Sequence, residues 1–112
     1  MIDLDKNYKH FSAYELVEVI ESTSDYKPEV VAYCKNRIEE LNLELDVIKS
    51  HASHVLRKRF KKYFTDGKYK IDAPISLDSE YLNRYEVQKC FDESKAEHIR
   101  NWNFMTRDLT NG

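Results

Sequence analysis

Apolar residues recur at alternating three- and four-residue steps through the middle of the chain: Val31, Cys34, Ile38, Leu41, Leu45, Ile48, Ala52 and Val55. These are a and d positions of four consecutive heptads, the pattern of a helix that buries one stripe against other helices. Beyond Pro28, no Gly or Pro interrupts the chain until Gly67. The pattern predicts one long helix over about 28–66, continuous through Asn42 in preference to kinked there. At about 1.5 Å per residue such a helix spans ~58 Å, whereas a compact domain of this size has a radius of gyration of ~13 Å. The helix is therefore expected to protrude or to make the molecule elongated. Leu43 and Val47 lie off the stripe and predict contacts on a second side.

The flanking segments also read as helices. Ser12 followed by Glu15 forms a capping box, with Phe11 and Leu16 in the positions of a hydrophobic staple. A first helix is expected from there to about Glu21, with Tyr14, Leu16, Val17 and Ile20 as its apolar side. Ser22-Thr23-Ser24-Asp25 ends it, because these side chains compete for the backbone. Pro28 suits the first turn of the long helix, where a missing N–H has no partner to lose. At the far end, Asp66-Gly67 offers a C-cap, and residues 67–76, with Pro74, read as the main loop. A last helical region begins near Leu77, with Tyr81, Leu82, Tyr85, Val87, Cys90 and Phe91 as one apolar set. Asp92-Glu93-Ser94 is expected to interrupt it, since Ser94 and Glu97 form a second capping box. Ile99, Trp102, Met105 and Leu109 then give the final helix a buried face. Residues 1–10 and 110–112 are expected to be loose. The fold class is all-α, a single domain of four to five helices around one long central helix.

Three pieces of this pattern carry a resemblance: Phe11-Ser12-Ala13-Tyr14-Glu15-Leu16-Val17, Asp25-Tyr26-Lys27-Pro28-Glu29-Val30-Val31 and Arg37-Ile38-Glu39-Glu40-Leu41. Residues 11–41 resemble a short helical hairpin found near the N-terminus of many uncharacterised Bacteroidota proteins, in which an Asp-Tyr-x-Pro-Glu turn joins two helices. The resemblance implies a helical hairpin and a bacterial or phage source, and it brings no known activity.

Composition supports long helices. Of 112 residues only two are Gly and two Pro, too little punctuation for a loop-rich sandwich or barrel. Eight Tyr supply large contact area with a polar tip, useful both in a core and at a binding surface. The start, Met1-Ile2-Asp3-Leu4-Asp5, lacks the basic and apolar segments of a signal peptide, and no apolar run approaches the ~18 residues that cross a bilayer. A cytoplasmic protein without membrane contact is expected, with Cys34 and Cys90 as free thiols.

Charge changes the picture of the long helix. The net charge is only −2, yet residues 47–71 hold eight Lys/Arg and one acid, between acidic flanks on either side. At about 100° per residue, His51, His54, Arg57, Lys58, Lys61 and Lys62 fall within one arc of roughly 140°. Ile48, Ala52, Val55, Leu56, Phe60 and Tyr63 face away from it. Lys68 and Lys70 extend the basic face into the following loop, and Tyr63, Phe64 and Tyr69 could stack on unpaired bases. Three readings of this face stand side by side: a solvated or internally paired surface, a nucleic-acid contact, and a contact with an acidic protein.

His51 and His54 sit one turn apart, as two ligands of a metal would. No Cys or acid at matching spacing completes a set and the neighbouring cations oppose a bound cation, so no metal is expected. Neither a phosphate-binding Gly-rich loop nor a nucleophile elbow is present, and no Arg-x-x-x-x-His pattern occurs. The chain is accordingly expected to be no enzyme and to need no cofactor. The leading expectation is a small helical inhibitor or adaptor of a protein or ribonucleoprotein partner. An anti-defence role such as an anti-CRISPR inhibitor enters by analogy of size and charge. The alternative is direct RNA or DNA binding by residues 51–70. The narrow stripe at 31–55 also makes a homodimer an expectation.

Overall fold

The computed structural model describes residues 3–66 and 77–111, with side chains up to Thr65 and from Leu77 to Trp102. It is all-α, with no strand among the described residues. Helix α1 spans Leu4–Tyr8, α2 Ala13–Glu21, α3 Pro28–Leu41, α4 Leu45–Asp66 and α5 Arg84–Asn111, and a single 3₁₀ turn covers Thr23–Asp25. Local chemistry explains most boundaries. The Ser12 hydroxyl accepts from the Glu15 N–H at 3.2 Å while the Glu15 carboxylate accepts from the Ser12 N–H at 3.2 Å, so the capping box forms. Pro28 stands in the first turn of α3. Asn83 and Glu86 make a reciprocal pair of bonds, at 3.0 and 2.8 Å, that starts α5.

The expected continuous helix over 28–66 is two helices. Asn42 takes the left-handed conformation at φ 50°, ψ 45°, and its N–H donates to the Glu39 carbonyl at 3.1 Å. Asn tolerates this region better than other residues with a Cβ. Leu43 turns back onto the core, and the Glu44 carbonyl accepts the Val47 and Ile48 N–H groups to begin α4. Doubling back lets nine-residue α2 lie against both α3 and α4. That position accounts for its near-total burial: Leu16, Val17, Val19 and Ile20 are all about 1% exposed or less, a stripe too wide for one neighbour.

Helix α4 is the inner helix, with α2 along one side and α5 along the other. Lys49 pairs with Glu86, Arg57 with Glu93, and Phe64 lies against His98, so α4 and α5 run in the same direction. Helix α5 therefore begins beside the first half of α4. Val30, Val31, Cys34, Ile38, Ile48, Ala52, Val55, Leu56, Phe60, Leu82, Val87 and Cys90 complete the core. The molecule measures 56 × 31 × 25 Å with a radius of gyration of 17.1 Å, elongated as expected even though its longest helix is α5.

Other expectations shift. Residues 3–10, read as loose, hold α1, capped by Asp3 and tied to α3 by a 2.6 Å bond from the Tyr33 hydroxyl to Asp5. That bond raises the Tyr33 pKa to about 12. Asp92-Glu93-Ser94 does not interrupt α5; Ser94 is buried within it. Tyr85 projects outward, and Ile99 and Trp102 are exposed, not buried. Met105 and Leu109 lie outside the described side chains. Along the heptad stripe six positions are buried, while Leu41 and Leu45, beside the turn, are exposed, as is Val47. The stripe is covered within the chain, which removes most of it as a dimer face. Cys34 and Cys90 are buried free thiols, and desolvation pushes the Cys34 pKa up.

Candidate functional site

The six residues predicted to share a basic face do so on α4, but the face is not open along its length. Acids on both neighbouring helices approach it. Arg57 donates to the Glu93 carboxylate on α5, and Lys58 stands 3.9 Å from Glu18 on α2. The Lys58 ammonium also lies 5.9 Å from the centre of the Tyr14 ring, a cation–π distance. His51 and His54 meet the same ring edge-on, at 5.7 and 5.5 Å. The Tyr14 hydroxyl is buried, and among the described residues it has no hydrogen-bond partner. Two further cations of α4 are engaged away from this arc. Lys49 bonds the Glu86 carboxylate at 3.0 Å, and Arg59 donates to the Glu21 carbonyl. The Asn83 N–H and Lys49, in that order, hold the Glu86 carboxyl below its ordinary pKa.

The last two turns of α4 differ. Lys61 and Lys62 are exposed, and among the described residues neither has an ion-pair partner. The aromatics there are not both available for stacking on bases. Phe64 is half-buried and packs on Phe91 at 5.2 Å, on Tyr63 at 5.4 Å and nearly parallel to His98 at 5.8 Å. Tyr63 is half-buried. Lys68, Tyr69 and Lys70 lie outside the described residues. Since Phe64 sits opposite His98, α4 is nearly finished where α5 reaches Ile99 and Trp102. These two are 47% and 55% exposed, because α5 continues past its partner helix.

The sequence reading missed a second cluster. Glu21, the last residue of α2, is buried. Its carboxylate accepts the Ser79 hydroxyl at 2.7 Å, the Glu80 N–H at 2.9 Å and the Tyr81 N–H at 3.3 Å. The Ser79 oxygen in turn accepts the Leu82 N–H at 3.0 Å, and Lys35 on α3 pairs with Glu80 at 3.2 Å. Together these fasten residues 79–82 to the end of α2 beside Arg59. Nothing in the local sequence marks Glu21 among the acids around it, because its partners begin 58 positions away at Ser79.

In the second cluster the Ser79 hydroxyl donates to the Glu21 carboxylate at 2.7 Å while its oxygen accepts the Leu82 N–H, so both groups are engaged in fastening residues 79–82. Among the described residues no group of three His, Cys, Asp or Glu is arranged to hold a metal, and no helix is long and apolar enough to cross a membrane. Against family models, curated proteins and solved structures the chain finds no match.

Proposed function

We propose that the protein is a non-enzymatic binding protein, an inhibitor or adaptor of a protein or ribonucleoprotein partner, and that the shared end of α4 and α5 makes the contact. The observation that supports this is that Lys61 and Lys62, near the end of α4, and Ile99 and Trp102, on α5 just past the Phe64–His98 contact, are all exposed. Tryptophan anchors flanked by charge are the composition of binding hot spots. Direct RNA or DNA binding through residues 51–70 is the weaker reading. Arg57 and Lys58 already face Glu93 and Glu18, so phosphates would compete with carboxylates for them.

The test is capture of a partner from a bacterial lysate by the tagged protein, with and without nuclease and at two salt concentrations. Trp102→Ala should cut recovery about tenfold, and K61E/K62E should do so more steeply at low salt. A protein recovered equally by wild type and Trp102→Ala would dismiss this end of the bundle as the contact. Recovery of nucleic acid alone, lost steeply as salt rises, would favour the second reading.

A further inference from the structure

The turn at residues 42–44 carries two opposed sets of instructions. The heptad stripe keeps register straight through it, from Ile38 and Leu41 to Leu45 and Ile48, with no Gly or Pro nearby. Yet the chain breaks there on a single non-Gly residue in the left-handed region, Asn42 at φ 50°. Leu41 and Leu45, at the heart of the stripe, are left 42% and 58% exposed. Helices α3 and α4 share little direct packing, and what joins the two halves of the molecule is α2 lying against α4 together with the Glu21 and Lys35 contacts to residues 79–81. Every one of those contacts can form equally between two chains.

We infer that α3 and α4 can straighten into one helix and that two copies of the chain then exchange their α1–α3 units. Each unit packs on the partner copy's α4 and residues 79–82 as it does on its own. Such an exchange needs a short hinge that is held bent at some conformational expense, and a surface that is completed only in the dimer. Asn42 supplies the first, since a left-handed residue with a Cβ is disfavoured relative to helix. Leu41 and Leu45 supply the second. In a two-fold dimer the straightened helices pass each other at their hinges, and these leucines meet their own copies there. The occupant of the exposed part of the stripe is thus a second copy of this chain.

Three hinge variants of the full chain test this by light scattering over a range of concentrations, with helix content followed by circular dichroism. The monomer has a mass of 13.4 kDa. Asn42→Ala raises the left-handed penalty and improves the straight helix, so the dimer dissociation constant should fall at least about tenfold. Asn42→Gly relieves the bend and weakens the straight helix, so it should rise by about as much. Leu45→Pro suits the first turn of α4 but breaks a continuous helix, and should leave only monomer. If Asn42→Ala stays monomeric at millimolar concentration while fully helical, the exchange does not occur. If wild type dimerises and Leu45→Pro dimerises equally, the dimer is a surface contact and the hinge proposal is wrong. Should Asn42→Ala fail to fold, Asn42→Gln, also a better helix former that disfavours the left-handed region, is read in the same way.

Discussion

The two sides of α4 use the same kinds of charged groups for different ends. On one side, beside Arg59, the Glu21 carboxylate is buried and gathers a hydroxyl and two backbone N–H groups from residues 79–81. On the other, Arg57 and Lys58 face Glu93 and Glu18 with side chains 39–63% exposed. Desolvation separates the two. A buried carboxylate that has given up water relies on its donors, and those donors rely on it. An exposed pair trades one solvated arrangement for another and holds little energy. The first side therefore fastens the returning chain so that α5 can run alongside α4. The second lowers the positive field of the central helix and leaves Lys61 and Lys62 as its outlet.

Removing the buried acid should have the largest effect. Glu21→Ala strands the Ser79 hydroxyl and the Glu80 and Tyr81 N–H groups, and should cost about 2–4 kcal/mol in urea unfolding. Glu21→Gln keeps one acceptor oxygen and should lose roughly half of that. Amide exchange at Glu80 and Tyr81 should quicken together in both variants. A loss under ~0.5 kcal/mol for Glu21→Ala would mean that residues 79–82 are held by Leu82 and the Lys35–Glu80 pair instead.

The exposed side should respond far less. A double-mutant cycle on Arg57→Ala and Glu93→Ala should return a coupling of ~0.5 kcal/mol or less, shrinking as salt is added. A coupling above ~1.5 kcal/mol would erase the distinction between the two sides.

How far the sequence discloses this arrangement depends on whether the signal is local. Ser12 with Glu15 and Pro28 at a helix start are complete within four residues, and the structure forms both. The heptad stripe correctly names six buried positions. Where a local signal and packing disagree, packing decides, in both directions. Ser94 and Glu97 have the letters of a capping box, but Ser94 is small and buried, Glu93 faces Arg57, and α5 runs on unbroken. Asn42 tolerates the left-handed turn but has no Gly or Pro beside it to enforce one, and the chain turns there because the bend buries α2 on two sides. Site residues follow the same rule. The angular arc puts His51 to Lys62 on one face of α4, but the acids that approach it, Glu93 and Glu18, lie 36 and 40 positions from Arg57 and Lys58 and on other helices. The spacing of Trp102 from Ile99 fits a buried face, but α4 ends too early to cover it.

Glu86 lies between the two extremes and sharpens the contrast. Its side chain and that of Lys49 are each 31% exposed, and it opens α5 by accepting the Asn83 N–H at 3.0 Å. That backbone bond first and Lys49 second lower its pKa below the ordinary 4.5, and its place in the first turn of a helix favours the charged form as well. A carboxyl whose folded pKa is depressed adds stability that is present above the unfolded value and is lost as pH falls through the folded value. The contribution is therefore intact at neutral pH and disappears on the acid side of 4.5. In a carboxyl NMR titration Glu86 should titrate below the ordinary glutamate value. Lys49→Met should move it upward only part of the way, since the larger cause, the Asn83 N–H, is still in place. A full return to the ordinary value in Lys49→Met would show that the lysine, not the helix start, holds the charge. Glu86 would then belong with the exposed pairs of α4 rather than with Glu21.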